Sequence, residues 1–341
     1  MTDFAIFGAG AMATAMGVLL ASNGHNVLLY ARRDELAKSI NEKRRNMDYM
    51  PEVILPEEIR ATSRFSEWIS ASDNIILAIP SRSILKFCEL VKARKSRLED
   101  KTWLSVIKGI NVDLRKTCSR ILVEKLKIDE ENIAVLSGPG FATEIVRGVP
   151  TINVIASKSR DTIKLFRNAL ATEHFILKTS DDVIGVEIGG VLKNIGSITI
   201  GLIDGMGFGD NTRGFVFTYC LHELIEIGVK IFKAKLWTLL DLPLLGDLLC
   251  TAFSQKSRNR IIGLLFSKNI KNIPEDSFVS EGRYSIQVIQ SLAHKQGIST
   301  PVMDFVASVL SGANPASAFH TLWKVLKEDI SKNVTLKQLY V

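Results

Sequence analysis

Cysteine is scarce in this 341-residue chain, and Cys88, Cys118, Cys220 and Cys250 stand far apart with no C-x-x-C pair among them. That spacing argues against a zinc site or a disulfide framework, and it fits a reducing compartment in which the thiols serve as small core hydrophobes. Long apolar runs are missing too. No segment reaches the roughly 18 uncharged apolar residues of a membrane span, and the greasiest late stretch, Leu236 to Cys250, is broken by Asp241, Pro243 and Asp247. The start Met1-Thr2-Asp3-Phe4 carries no basic region ahead of its apolar stretch. A cytoplasmic protein without integral membrane association is therefore expected. There is no internal repeat and no low-complexity tract. The formal charge is +7, but the basic residues are dispersed, and the densest cluster, Lys92, Arg94, Lys95 and Arg97, has no interleaved aromatics. Nucleic acid is not an expected partner, whereas small anionic molecules suit the same charge balance.

What remains is an ordinary globular composition, 46% hydrophobic and 23% charged, in a chain long enough for two cores. The first half alternates short apolar strands with helical stretches: Phe4 to Phe7, Val27 to Tyr30, Asn74 to Ile79, Trp103 to Ile107, Ala134 to Leu136, Ile152 to Ala156 and Phe175 to Leu177. This alternation predicts an α/β fold, a doubly wound parallel sheet with helices on both faces. From Asp181 onward the periodicity is helical, with a start signal at Ser180-Asp181-Asp182. Two domains follow: a dinucleotide-binding Rossmann-type domain over 1–180 and an all-α substrate-binding domain over 181–341.

Two motifs carry chemistry. Ala5-Ile6-Phe7-Gly8-Ala9-Gly10-Ala11-Met12-Ala13 places G-x-G-x-x-A after a strand and before a helix expected over Thr14 to Ser22. Gly8 makes the turn, Gly10 lets the backbone approach a pyrophosphate, the small Ala13 permits close helix packing, and the phosphates would sit on the free N–H groups at the helix start, with Ala11 and Met12 among the cofactor-binding residues. The second strand ends in Arg32-Arg33, where an NAD enzyme usually has a carboxylate. Two guanidiniums suit a 2′-phosphate, so NADP(H) is the expected cofactor with NAD(H) also accepted, and the neighbouring Asp34 argues for the latter. The other motif is Lys193-Asn194 inside the apolar run Gly185 to Ser197. Gly190, Lys193, Asn194, Ser197 and Gly201 share one helical face. An ammonium there requires a ligand or a partner, or else its head snorkels to water.

Gly8-Ala9-Gly10, Leu136-Ser137-Gly138-Pro139-Gly140-Phe141-Ala142-Thr143-Glu144, the Gly185 to Asn194 run, Gly205 to Asn211, and Leu245-Gly246-Asp247-Leu248 followed by Ser257-Arg258-Asn259-Arg260 together resemble the NAD(P)-dependent glycerol-3-phosphate dehydrogenases of the bacterial type. The resemblance implies a helical C-terminal domain like that of 6-phosphogluconate dehydrogenase. It also implies reversible reduction of dihydroxyacetone phosphate to sn-glycerol 3-phosphate for glycerophospholipid synthesis, in a homodimer. Under it Lys193 is the general acid and base, in keeping with an amine desolvated near other cations, and Lys108 is the second lysine, holding substrate and polarising its oxygen. Gly138, Gly140, Asn194, Asp247, Thr251, Ser257, Arg258 and Asn259 would complete the substrate site. Lys108, Ala142, Arg258, Val279 and Glu281 would join the glycine turn and the arginines in binding cofactor, and no metal is called for. Gly140 departs from the Ser or Thr that the family more often has, and Met12 from its Trp. Two alternatives stay open: a related keto-acid reductase such as a ketopantoate reductase, and a catalytically silent NADP-binding regulator, against which the retention of both lysines speaks.

Overall fold

The computed structural model describes residues 3–94, 98, 100–270 and 280–331, which fall into two compact units, 1–187 and 188–341. In the first unit an eight-stranded sheet is built from β1 (Phe4–Phe7), β2 (Val27–Tyr30), β3 (Ile59–Thr62), β4 (Asn74–Leu77), β5 (Thr102–Ser105), β8 (Ile133–Ser137), β9 (Thr151–Ser157) and β10 (Phe175–Ser180). A small hairpin, β6 (Ile110–Asn111) and β7 (Lys116–Thr117), stands apart from it. The order across the sheet is β10-β9-β8-β5-β4-β1-β2-β3. Parallel pairing runs from β3 to β8, so β1 lies at the point where the winding reverses and ligands bind beyond the strand ends.

Both faces of β1 are buried because helices cover both sides of the sheet. Phe4 and Ile6 enter a core with α1 (Ala11–Ser22), α2 (Asp34–Lys43) and, further along, α6 (Ala142–Val146) and α7 (Arg160–Leu170). Ala5 and Phe7 enter the opposite core with α3 (Phe65–Ala71), α4 (Ile84–Ala93) and α5 (Cys118–Leu126).

Three expectations need correction. The sheet is mixed, since β9 pairs antiparallel with β8 through Ala134 to Ser137 and Ser157 to Val154. Strand β3, Ile-Arg-Ala-Thr, has too little apolar character to read as a strand, and its place beside β2 supplies the pattern its residues lack. Helix α1 starts at Ala11 rather than Thr14, immediately after the extended Gly10, because Ala11, Met12 and Ala13 are good helix formers.

The second unit has no strand among its described residues. Helix α8 (Val183–Gly205) runs through the unit boundary and is followed by α9 (Asp210–Lys230), α10 (Leu236–Leu239), a π-helical turn over Leu242–Gly246, α11 (Asp247–Ala252), α12 (Arg258–Ser267), α13 (Glu281–Lys295), α14 (Pro301–Leu310) and α15 (Pro315–Ser331). The start signal ahead of α8 acts as expected, with Asp182 Oδ1 accepting the Gly185 N–H at 2.9 Å. The units nevertheless divide within α8 rather than ahead of it. Glu187, in the part of α8 that belongs to the first unit, is buried, and its carboxylate accepts the backbone N–H and the hydroxyl of Ser119, at the N-terminus of α5. Desolvation raises its pKa against the lowering effect of those hydrogen bonds.

Helix α8 has the length and hydropathy of a membrane span, but 89% of its apolar window is buried inside the protein, and it carries Glu187 and Lys193. Cys88, Cys118 and Cys220 are core residues, and burial pushes the thiol of Cys88 up to about 11 and that of Cys220 to about 12.

In the second unit Glu223 of α9 caps α14, accepting from Val302 N at 2.6 Å and Met303 N at 2.9 Å. Burial pushes its pKa from 4.5 up to about 8. A carboxyl whose pKa is raised in the folded state stabilises the fold below its unfolded pKa, and that contribution is lost as pH rises through the folded value. The wild type should therefore lose thermal midpoint relative to Glu223→Gln as pH climbs from 4.5 to about 8. Parallel melting curves across that range would overturn the assignment.

Candidate active site

The first unit supplies a dinucleotide cradle. Gly8 has φ +128°, and a Cβ there would lie 2.4 Å from the Ala78 carbonyl oxygen, so only glycine fits this turn beside the end of β4. A Cβ on Gly10 would meet nothing within 4 Å, which leaves its outer side open beside the start of α1. Gly10 gives α1 no side-chain cap, so the first-turn N–H groups of Ala11 and Met12 remain available to an anion. These features fit a pyrophosphate.

Beyond the end of β2, Arg32 and Arg33 are both exposed, and Arg33 pairs with Asp48. Asp34 is engaged by Lys38 at 2.9 Å and Ser63 at 3.0 Å, and Lys38 chiefly holds its carboxyl below the usual range.

Further along the same sheet, Lys108 follows β5 and donates from Nζ to the Gly138 carbonyl at 2.6 Å, which brings two expected substrate residues together. Gly138 has φ +136°, and Asn153 fixes the turn by donating to the Pro139 carbonyl at 2.9 Å. Ala142 opens α6 directly after it.

In the second unit Asp247 meets Lys193 itself, and Thr251 and Asn259 bond Ser197 and Asn194 on the same helix. The lysine does not snorkel. Its side chain is 9% exposed, and Nζ lies 3.1 Å from Oδ1 of Asp247, whose side chain is 1% exposed. The near charge is thus a carboxylate, where a cationic neighbourhood was expected. Asp247 opens α11 straight after the π turn, whose Pro243 and Leu244 pack where a Cβ on Gly189 would stand, at 2.9 to 3.1 Å. A π turn shifts the following side chains round the axis; here it delivers Asp247 to Lys193.

Thr251, one turn on, bonds Ser197 at 2.6 Å, and Ser197 also donates to the Lys193 carbonyl at 2.9 Å. Gly201 faces the Arg260 carbonyl, where a Cβ would stand at 2.1 Å. The small residues of the Lys193 face beyond Asn194 therefore admit helices α11 and α12 rather than a ligand.

Asn194 accepts from Asn259 Nδ2 at 2.7 Å, and Asn259 Oδ1 in turn accepts Ser280 Oγ at 2.6 Å and Gly282 N at 3.2 Å. This chain couples the lysine helix to the start of α13, where Glu281 stands. Ser257 caps α12 through the Arg260 N–H at 3.3 Å, Arg258 is exposed, and Arg260 is held by Asp204 at 2.7 Å. Val279 lies outside the described residues.

Glu187, Asp204 and Ser280 were not among the residues expected from sequence, while Ser197 was noted only as sharing the Lys193 face. Glu187 and Asp204 gave a signal, each being an acidic residue in a largely apolar helix.

Residues 3–163 match the family described as NAD-dependent glycerol-3-phosphate dehydrogenase N-terminus, and residues 182–321 match its C-terminus. The chain belongs to the NAD-dependent glycerol-3-phosphate dehydrogenase family. It is 34% identical over 306 residues to the glycerol-3-phosphate dehydrogenase (NAD(P)+) of Clostridium tetani, covering 89% of this chain and 86% of that protein. It is also 34% identical over 335 residues to that of Lysinibacillus sphaericus, covering 96% and 98%. The crystal structure of glycerol-3-phosphate dehydrogenase from Coxiella burnetii superposes with a TM-score of 0.85 at 27% identity, covering 95% of this chain and 98% of that one.

A Cβ on Gly140 would stand 3.2 Å from Ile145 Cδ1 and 3.4 Å from Asn153 Nδ2, so a larger residue there requires the end of the Ile145 side chain to give by a few tenths of an ångström. Met12 is half-buried at the start of α1.

The Lys193–Asp247 pair is desolvated on both sides, and removing one partner of such a pair costs about 3–5 kcal/mol by stranding the other charge. Lys193→Met and Asp247→Leu should each destabilise by that order in chemical denaturation, with the double variant less destabilised than either. Simple addition of the two single effects would show that the ions are not coupled.

Proposed function

We propose that this protein catalyses the reversible reduction of dihydroxyacetone phosphate to sn-glycerol 3-phosphate, with Lys193 as the proton donor and acceptor. The desolvated Lys193–Asp247 pair carries this reading: a buried ammonium with a fixed countercharge is a proton source of defined position. A bound nicotinamide supplies the hydride that goes to the substrate's central carbon. In the reduction Lys193 Nζ gives its proton to the carbonyl oxygen, and in the reverse direction it takes the proton from the hydroxyl. Asp247 holds the ammonium and offers its remaining lone pairs to the substrate hydroxyl. Lys108, drawn to the Gly138 carbonyl, supports the developing alkoxide with its positive charge.

Arg258 brings an exposed guanidinium to the phosphate, and Asn259 adds an amide N–H. Gly8, Gly10, Ala11 and Met12 hold the pyrophosphate, Arg32 and Arg33 favour a 2′-phosphate, and NADPH is accordingly the preferred donor. The product is the backbone from which glycerophospholipids are made.

The direct test follows NADPH and NADH absorbance with dihydroxyacetone phosphate and with ketopantoate. Oxidation with the triose phosphate alone supports the reading, and oxidation with ketopantoate alone overturns it. Lys193→Ala should lower kcat by about 10²- to 10⁴-fold with cofactor affinity nearly unchanged; a normal kcat with weakened cofactor binding would refute the proton role. Arg258→Ala should lower kcat/KM for dihydroxyacetone phosphate by about 10- to 100-fold, leaving unphosphorylated dihydroxyacetone almost untouched. An equal loss with both ketones would remove Arg258 from the phosphate site.

A further inference from the structure

The segment joining α2 to β3 is built against the cofactor cradle in a way that the sequence reading does not include. Asn46 is fully buried, and its Nδ2 donates to the Ala9 carbonyl at 2.9 Å, inside the glycine turn, and to Thr14 Oγ1 at 2.8 Å. Its Oδ1 is buried with no partner among the described residues. Four residues on, Met50 is 3% exposed and returns its N–H to the Asn46 carbonyl at 2.8 Å. Arg44, in the left-handed conformation, closes the base of the segment with bonds to the Ile59 and Leu55 carbonyls. Asp48 therefore sits at the tip of a turn pinned at both ends. From there its carboxylate meets the Arg33 guanidinium, while Arg32 stays exposed.

We infer that Asp48 is a specificity-determining residue, whose carboxylate competes with the 2′-phosphate of NADPH for Arg33 and so narrows the preference for NADPH over NADH. The inference rests on the reading that Arg32 and Arg33 receive that phosphate. A 2′-phosphate arriving at Arg33 meets a guanidinium already neutralised and a carboxylate beside it, so either the pair opens or two anions share one cation. NADH has a 2′-hydroxyl at that position and escapes both costs. The side chains of Arg33 and Asp48 are 53% and 39% exposed. Solvent screens such a pair, so the effect is a factor of a few rather than of thousands. The anchoring of Asn46 to Ala9 keeps the competing carboxylate in place when the cofactor is absent, which makes the competition a standing property of the apo site.

The test is isothermal titration of the full chain with NADPH, NADH, 2′,5′-ADP and 5′-ADP, in wild type, Asp48→Asn, Arg33→Ala and the double variant. Asp48→Asn should tighten NADPH and 2′,5′-ADP by about three- to fivefold, with NADH and 5′-ADP within about 1.5-fold. In the Arg33→Ala background that gain should largely vanish. Weaker NADPH binding in Asp48→Asn would overturn the inference by showing that Asp48 orients Arg33 for the phosphate, and equal tightening of NADPH and NADH would overturn it as general charge relief. The underlying reading is tested separately, because an Arg32→Ala/Arg33→Ala variant that weakens NADPH and NADH alike removes the 2′-phosphate site whatever Asp48 does.

Discussion

Helix α8 is buried almost all round, and besides Asp204 near its end, which Arg213 and Arg260 hold, it carries Glu187 and Lys193 in its buried body, where neither can be left alone. Each charge dictates a neighbour. Glu187 must lie where an N-terminus offers donors, and it finds Ser119 at the start of α5. Lys193 must lie where a carboxylate can be desolvated beside it, and it finds Asp247 at 3.1 Å. The second demand shapes the chain some fifty residues away. Asp247 reaches the lysine because the preceding Leu242–Gly246 turn is π-helical and because Gly189 lets that turn lie against α8. A side chain larger than hydrogen at 189 would collide with the Pro243 backbone at 2.9 Å, so one glycine on the helix and one irregular turn off it are parts of a single arrangement.

The same logic explains why glycine recurs where α8 meets its neighbours in the second unit. A Cβ on Gly263 would stand 2.2 Å from the Ile198 carbonyl oxygen, and one on Gly282 would stand 2.9 Å from that of Asn194. Backbones at such separations lock α12 and α13 against the lysine helix without long side chains between them. Positions that must hold an ammonium and an amide to within a few tenths of an ångström are thereby built on helices, whose geometry is stiffer than that of loops. The first unit solves the equivalent problem at Gly8 and Gly138, both with positive φ and both at the carboxyl ends of strands, where the sheet leaves an anion-accepting edge.

Sequence alone singles out residues whose type contradicts their surroundings. Lys193 in an apolar helix, Asp247 in an apolar stretch and the glycines after β1 each violate a local rule, and such violations concentrate where ligands bind. What stayed hidden was of two kinds. Some residues obey every local rule and gain their role only by distant pairing: Ser197 and Ser280 look like ordinary helix and cap residues, yet they bond Thr251 and Asn259. Asn46 and Asp48 sit in an irregular turn, where no periodicity marks which side chain faces the cradle. The antiparallel entry of β9 was also illegible, because a strand's direction depends on its connection and not on its alternation.

Asn259 shows how far this pre-arrangement constrains the chemistry. Its amide cannot be turned round, because one end faces the Gly282 N–H and the Ser280 hydroxyl, and the other faces the Asn194 oxygen. A flipped amide would set two donors against the Gly282 N–H and leave the Asn194 oxygen facing another oxygen. The oxygen is therefore consumed in holding the start of α13, and one amide hydrogen in holding Asn194. A single N–H remains for a ligand. An anion near Asn259 consequently draws its charge compensation from the Arg258 guanidinium, and the amide contributes direction rather than charge. A chain of hydrogen bonds thus runs from the start of α13 through Asn259 and Asn194 to the turn carrying Lys193, so that under the proposed function occupancy of the phosphate position would be linked to the orientation of Lys193 through a single side chain.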